Sequence, residues 1–105
     1  REPDGLALSS RNQYLDGAQR ATAPGLHRAL ADCAGALRRG DREFGVLESS
    51  GMKALVAAGF RPDYFAIRNA ADLSPPTGAS RSLVVLAAGH LGRARLIDNL
   101  LVDFA

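Results

Sequence analysis

The 105-residue sequence predicts an α+β domain in which two main helices pack on a three-stranded antiparallel sheet. Up to Gly59, apolar residues recur every three or four positions, which is the spacing of one face of an amphipathic helix. From Asp63 onward they alternate with other residues, which is the spacing of a half-buried strand. The change of period therefore separates a helical first part from a strand-rich second part.

A short helix is predicted before the two main ones. Asp16 and Gln19 have the spacing of a capping box, in which two side chains satisfy free backbone N–H groups at a helix start. The helix should therefore begin near Gly17. Pro24 cannot donate a backbone hydrogen bond inside a helix, so we predict a break at residues 22–23 and a new start with Pro24 in its first turn.

The first main helix follows this break and is amphipathic. Arg38 and Arg39 stand where a helix C-terminus favours positive charge, and Gly40 is expected to end the helix. A single apolar stripe along this helix consists of Leu26, Leu30, Cys33 and Leu37.

The second main helix has Asp41 as its candidate N-cap and ends at Gly59. Gly51 lies within the apolar stripe and costs roughly 1 kcal/mol in helix propensity, so we expect another element to approach it closely. Gly59 suits a left-handed cap from which Phe60 folds back onto the helix, and Pro62 prevents continuation. The stripe consists of Phe44, Leu47, Gly51, Leu55 and Ala58.

Three strands are predicted after the helices. The first is Tyr64–Arg68, with Phe65 and Ile67 facing inward, and the loop 70–80 follows it. The segment Leu83–Ala88 is apolar on both faces, which favours a central strand.

The last strand is predicted from Arg95 to Phe104, after a turn at Gly92. Asp98 and Asn99 interrupt it with two polar residues, for which we predict a bulge or turn. The apolar residues expected on one side of this strand are Leu96, Leu100, Val102 and Phe104.

Composition indicates one folded domain. The chain is 47% hydrophobic and 23% charged, which argues against disorder, and a net charge of +2 is only a weak signal for a polyanionic partner. A single cysteine, Cys33, cannot form an internal disulfide, which fits a reducing compartment. The sequence shows no signal peptide and no apolar run of membrane-spanning length, so we expect a cytoplasmic protein.

The richest concentration of polar chemistry is the stretch Arg1–Asn12. Pro3 and Asp4-Gly5 predict a turn, because proline fixes φ and glycine allows positive φ. The next polar residues are Ser9, Ser10 and Arg11, which provide two hydroxyls and a guanidinium that can bind two oxygens at once. This combination suits a polyphosphate ligand. By the residues alone, a solvated turn leading into a helix remains an open alternative.

We expect ordinary structural roles for the other reactive side chains. His27 and His90 are not at metal-ligand spacing with any cysteine or carboxylate, so no metal site is predicted. Cys33 lies on an apolar stripe, where a free cysteine behaves as a small hydrophobe. Glu2 and Asp4 stand in a turn without apolar residues around them, so they are poor candidates for acid–base catalysis, and no catalytic residue is assigned.

Three stretches together resemble the C-terminal domain of the pantothenate synthetase family. The string R-E-P-D-G-L-A-L-S-S-R-N of residues 1–12 looks like the signature that opens this domain. Residues 91–99, L-G-R-A-R-L-I-D-N, are similar to the family's final hairpin, and residues 59–64, G-F-R-P-D-Y, resemble the entry to the domain's first strand. The resemblance therefore covers essentially the whole chain.

The resemblance implies that Leu8, Ser9, Ser10 and Arg11 contact ATP, as the counterpart of a mobile loop of class I aminoacyl-tRNA synthetases. Leu8 stands where methionine is more usual and keeps the apolar anchor, because the two side chains have similar volumes. Residues 1–15 would form the phosphate-contacting segment and a hinge, with closure about the Pro3–Gly5 turn. Residues 16–105 would form a lid domain.

The resemblance also implies an ATP-dependent ligase that joins pantoate to β-alanine through a pantoyl adenylate, with Mg²⁺ on the polyphosphate. Pantoate and β-alanine would be bound mainly by a larger N-terminal Rossmann-like domain, and the full-length protein would be a homodimer. The sequence begins at Arg1 rather than methionine, within the expected site. We therefore expect a piece of a longer enzyme that is inactive alone.

Two alternatives come from other classes of protein. An arginine-rich α+β module could bind nucleic acid, but the strands lack paired exposed aromatic residues for base stacking, and the net charge is near zero. The basic cluster Arg38, Arg39 and Arg42 is interpreted as a solvated helix junction. A protein-interaction module with a polar N-terminal linker is the other alternative.

Overall fold

A computed structural model describes residues 1–7 and 15–104 of the chain. Three helices precede three strands, and the strands form one antiparallel sheet in the order β1-β2-β3. The predicted α+β fold class is therefore confirmed. The elements are α1 (Gly17–Thr22), α2 (Gly25–Arg38), α3 (Phe44–Ala58), β1 (Arg61–Asn69), β2 (Ser82–Leu91) and β3 (Ala94–Asp103).

The start of α1 and the break after it follow the local signals in the sequence. The backbone N–H of Gln19 donates to Asp16 Oδ1 at 2.7 Å, and the backbone N–H of Asp16 donates to Gln19 Oε1 at 3.1 Å. The predicted capping box is thus confirmed. Pro24 is the N-cap of α2, so the predicted break and new start are also confirmed.

Helix α2 buries the predicted apolar stripe and ends as expected at a glycine. Gly40 has φ +95°, its N–H donates to Leu37 O, and the N–H of Asp41 donates to Ala36 O, which is the hydrogen-bond pattern of a Schellman cap. Arg42 extends this cap, because its Nη1 donates to Leu37 O at 2.9 Å. The Arg42 guanidinium also lies 4.5 Å from the Phe104 ring centroid, so this arginine is structural rather than merely solvated.

Helix α3 confirms the role predicted for its internal glycine. A Cβ at Gly51 would lie 2.5 Å from three ring atoms of Phe65, so α3 and β1 approach each other across this position. Gly59 has φ +105°, and the N–H of Phe60 donates to Leu55 O at 2.9 Å, which confirms the predicted left-handed cap. The predicted N-cap was wrong: Asp41 Oδ1 accepts from the Glu43 N–H, and α3 begins only at Phe44.

The central position of β2 is confirmed, since it pairs with both other strands. Phe65 and Ile67 of β1 face inward as predicted and are buried in the core. The first strand begins earlier than predicted, at Arg61, and its register shifts between Pro62 and Tyr64, where an edge strand tolerates a proline. Gly92 occupies the β2–β3 turn with φ +56°.

The bulge or turn predicted at Asp98 and Asn99 was wrong. Asp98 pairs with Ala87 and Asn99 pairs with Leu86 in a ladder that runs without a shift from Ser82↔Asp103 to Leu91↔Ala94. Asp98 therefore lies on the same side of β3 as Leu96 and Val102, which belong to the core. This inward position requires a partner for the carboxylate.

Helices α2 and α3 cover one face of the sheet. The opposite face carries apolar side chains, of which Ile97 and Leu101 are 48% and 60% exposed. Among the described residues of the strands, Tyr64 is the aromatic residue on this face, so a pair of base-stacking rings is absent there. None of the described helices has the length and apolarity that crossing a bilayer would require.

Candidate functional site

The four residues predicted to contact ATP, Leu8, Ser9, Ser10 and Arg11, lie outside the described residues. The structure describes the chain on both sides of them, at residues 1–7 and from Leu15 onward. The contacts of these flanking residues, here called anchors, determine how the predicted ATP-contacting segment is attached to the rest of the domain.

The first anchor is a tight turn at Glu2–Leu6, hereafter the N-terminal turn. The N–H of Gly5 donates to Glu2 O at 2.9 Å, and the N–H of Glu2 donates to Leu6 O at 2.7 Å. Gly5 has φ +93°, a backbone conformation that glycine adopts without the steric cost of a side chain. The turn predicted from Pro3 and Asp4-Gly5 is thus confirmed.

Arg1 ties the N-terminal turn to β3. Its Nη1 donates to Asp98 Oδ2 at 2.5 Å and its Nη2 donates to Asp98 Oδ1 at 2.8 Å, which is a forked guanidinium–carboxylate pair. The hydrogen bond to Asp98 is the main cause that raises the pKa of Arg1. The same guanidinium donates to Gly5 O at 2.9 Å and to Asn99 O at 3.2 Å, so it connects strand and turn directly.

Arg20 of α1 makes a second ion pair with the turn. Its Nη1 donates to Asp4 Oδ2 at 2.7 Å, and this hydrogen bond holds the pKa of Asp4 below its ordinary value. A carboxylate held in its ionised form is a weak base. Arg20 and Asp4 also join the two described stretches that flank residues 8–14.

Apolar packing completes the attachment of the turn. Leu6 is 3% exposed and belongs to the main core. Gly5 lies against the ring of His27, since a Cβ at Gly5 would approach His27 Cδ2 to 2.6 Å. His27 is therefore a packed side chain, as expected, and the turn is docked on the body of the domain by both polar and apolar contacts.

Sequence reasoning missed Arg1 and Asp98 as parts of this site. The signal that points to Asp98 is its position in the strand. It lies two residues from both Leu96 and Leu100, so it shares the inward side of β3 with them. A carboxylate at a core-facing position needs a cationic or hydrogen-bonding partner. The chain contains 13 basic residues, and the pattern alone does not choose among them.

Among the described residues, the remaining reactive side chains include His90 and Cys33. In the described ranges, no group of three His, Cys, Asp or Glu side chains is placed to hold a metal ion. His90 lies on β2 and is only half-buried. Cys33 is 6% exposed, and burial raises the pKa of its thiol to about 11, with the carboxylates of Glu48 and Asp41 adding to the effect.

Cys33 is consequently expected to be unreactive in the folded chain. At pH 8, a rise of the thiol pKa from 9.0 to about 11 lowers the thiolate fraction, and hence the rate of disulfide exchange with Ellman's reagent, on the order of 100-fold relative to the chain in urea. In the unfolded chain the Cys33 thiol loses its proton at a lower pH than in the folded chain. The free energy of unfolding should therefore also fall as pH rises from 9.0 to about 11.

The matched control is an exposed thiol on a neighbouring helix, made as Ser49→Cys in a Cys33→Ala background. This variant should react at the same rate in buffer and in urea, after correction for the effect of urea on a free thiol. Equal native and unfolded rates for Cys33 itself would contradict its burial.

The fold and the docked turn together define an α+β domain whose N-terminal turn is followed in the sequence by a polar, arginine-containing segment. The family model described as Pantoate-beta-alanine ligase matches residues 1–101 of the chain. The chain therefore belongs to the pantoate–β-alanine ligase family, which agrees with the resemblance seen in the sequence.

Individual relatives carry the name pantothenate synthetase. The chain is 58% identical over 103 residues to the protein of Stutzerimonas stutzeri strain A1501 and 56% identical over 103 residues to that of Nitrosococcus oceani. In both cases the match covers 98% of this chain and 36% of the relative.

A solved structure supports the fold directly. The crystal structure of pantothenate synthetase from Thermus thermophilus matches with a TM-score of 0.85 and 42% sequence identity, over 95% of this chain and 36% of that chain. The chain thus spans about a third of the length of the relatives that it matches.

Proposed function

We propose that a full-length protein carrying this chain condenses pantoate with β-alanine at the expense of ATP, with AMP as a product. The observation that carries this proposal is the family match over residues 1–101, joined with relatives that are named pantothenate synthetase. Within that enzyme, this domain acts as a lid that brings Leu8, Ser9, Ser10 and Arg11 to the phosphates of ATP.

The proposed reaction has two steps. A carboxylate oxygen of pantoate attacks the α-phosphorus, the bond from that phosphorus to the bridging oxygen of the β-phosphate breaks, and pyrophosphate leaves with its electron pair. The amine of β-alanine then attacks the acyl carbon of pantoyl adenylate, losing a proton as the amide forms, and AMP leaves.

The residues of this chain act on the first step. Charge accumulates on the leaving pyrophosphate, and donors already oriented toward that charge stabilise the transition state more than the ground state. The Arg11 guanidinium can bind two phosphate oxygens at once, and the hydroxyls of Ser9 and Ser10 can each donate one hydrogen bond. These groups can assist departure of pyrophosphate, whereas in-line attack at the α-phosphorus requires residues elsewhere in the enzyme.

The docked N-terminal turn supports a lid that moves as one body. Arg1, Asp4, Gly5 and Leu6 all contact the helices or β3, so the turn is positioned to move together with the domain. Closure about the Pro3–Gly5 turn stays a prediction. A closing lid would carry the ATP-contacting segment with it.

Magnesium would enter as the Mg·ATP substrate. Mg²⁺ prefers oxygen ligands and is commonly held through substrate phosphates with few protein carboxylates. The ion would screen the charge that Arg11 and the two serines also stabilise.

The remaining functions are assigned to the rest of the full-length enzyme. That part would bind pantoate and β-alanine, supply the groups for in-line attack, and form the homodimer. The buried, unpaired Cys33 fits a protein that works in the reducing cytoplasm. Because this chain alone would lack the pockets for pantoate and β-alanine, it should be inactive by itself.

The direct test is an assay of the full-length protein with ATP, Mg²⁺, pantoate and β-alanine. Pantothenate, AMP and pyrophosphate should form in equal amounts, and omission of pantoate should abolish pyrophosphate release. The 105-residue chain, tested at the same concentration, should form no pantothenate. Production of ADP and phosphate instead, or pantothenate formed by the isolated chain, would contradict the proposal.

A further inference from the structure

We propose that Asp98 is a positioning residue for the adenylation step. It fixes Arg1, and through Arg1 it fixes the N-terminal turn from which Ser9, Ser10 and Arg11 reach the leaving phosphates. The inference rests on the proposed function, since it deepens the role given there to the ATP-contacting segment.

The surroundings of Asp98 show that its carboxylate is committed to this contact. Its side chain is 7% exposed and stands between Leu96 and Leu100 on the inward side of β3. Both oxygens are engaged by Arg1, and Oδ1 also accepts the Asn99 N–H at 2.8 Å. A carboxylate taken out of water is costly unless it is paired and hydrogen-bonded, and here Arg1 supplies the pairing charge.

Arg1 is placed to transmit this constraint to the turn. Besides the two hydrogen bonds to Asp98, it donates to Asn99 O on the strand and to Gly5 O in the turn. One rigid, planar guanidinium therefore bridges β3 and the centre of the turn. Any rotation of the turn away from β3 would break this set of hydrogen bonds together.

The turn leads directly into the ATP-contacting segment. Leu6 is anchored in the core, and Leu8 is two positions further along the chain. Since one residue spans at most about 3.6 Å, the orientation of the turn sets the point and direction from which the segment departs. A misplacement of about 1 Å at a supporting position can reduce catalysis on the order of 100-fold.

Stability of the sheet alone does not account for this ion pair. Strand β3 pairs with β2 along its whole length, from Ala94 to Asp103, without help from the Asp98 side chain. Replacing a buried ion pair by apolar residues of similar size is often neutral or stabilising, so an apolar residue at this inward position would serve packing as well. The carboxylate instead provides a fixed orientation for Arg1.

The test is Asp98→Asn in a full-length pantothenate synthetase that carries this sequence. The expected result is a loss of kcat/KM for ATP on the order of 10–100-fold in pantoate-dependent pyrophosphate release. The second half-reaction, β-alanine with preformed pantoyl adenylate, should stay within about twofold, because pyrophosphate has no part in it. A general folding defect would slow both half-reactions and overturn the positioning role.

The matched control is Asp63→Asn. Asp63 accepts from Arg95 Nη2 at 2.7 Å in another Arg–Asp pair that joins β1 to β3 without contacting the N-terminal turn. Adenylation by this variant should stay within about twofold of the parent rate. An equal loss in both variants would overturn a specific role for Asp98.

A double-mutant cycle tests whether Asp98 acts through Arg1. Arg1→Ala, Asp98→Asn and the double variant should lose similar factors in adenylation, because each removes the same link. Losses that multiply would overturn the link between them.

Arg11→Ala in the same protein distinguishes the positioning role of Asp98 from the phosphate-contacting role of Arg11. If Arg11→Ala slows adenylation and Asp98→Asn does not, the positioning role is overturned and the proposed function stands. If Arg11→Ala leaves adenylation unchanged, the phosphate-contacting role itself is overturned.

Discussion

Replacement of Arg11 by alanine in a full-length pantothenate synthetase carrying this sequence should lower the rate of adenylation on the order of 10²–10³-fold. The physical reason is that the Arg11 guanidinium is proposed to bind the leaving pyrophosphate, where negative charge develops, and loss of one such preorganised donor typically costs this factor. The effect should appear in kcat of pantoate-dependent pyrophosphate release, measured at saturating ATP and pantoate.

Two further substitutions show whether the loss reflects phosphate recognition. Arg11→Lys keeps the charge but not the forked donor geometry, so it should recover only part of the rate. Arg28→Ala removes an exposed arginine from α2 and should leave the rate near the parent value. An adenylation rate unchanged by Arg11→Ala would contradict the proposed contact.

The helices could be predicted well because their boundaries depend on local chemistry. Asp16 and Gln19 satisfy neighbouring N–H groups, and Gly59 supplies positive φ, whatever the rest of the chain does. Asp41 shows the limit of such reasoning. Its carboxylate satisfies Glu43 N–H in a turn that precedes the helix, so the correct type of interaction occurs before the first residue of α3 rather than at its N-cap.

The anchors of the candidate site could not be predicted in the same way. Arg1 and Asp98 are 97 positions apart, and their pairing depends on how the N-terminal turn docks against β3. The polar pair Asp98-Asn99 resembled a local interruption of the strand, whereas the structure keeps the ladder intact and satisfies Asp98 by a tertiary contact. Local patterns predict which segment carries the chemistry, and tertiary contacts determine how the adjoining N-terminal turn is held.

Gly51→Ala is expected to lower the free energy of unfolding of the chain by about 2 kcal/mol. Alanine gains about 1 kcal/mol over glycine in helix propensity. Its Cβ, however, would lie 2.5 Å from Cγ, Cδ1 and Cε1 of Phe65, a buried ring between α3 and β1. To remove this clash, the helix and the strand must separate or the Phe65 ring must adopt a strained rotamer. The free-energy cost of such overpacking exceeds the gain in helix propensity. Urea unfolding measures the difference.

Two comparisons isolate the contact with Phe65. Gly45→Ala lies in the same helix with no atom within 4 Å of the added Cβ, so it should leave stability unchanged or raise it slightly. In a Phe65→Ala background the ring is gone, and Gly51→Ala should become stabilising by up to about 1 kcal/mol. This reversal of sign is specific to a steric contact, because a loss caused by the helix backbone would persist without the ring. A destabilisation of equal size in both backgrounds would contradict the close approach of α3 and β1 at this glycine.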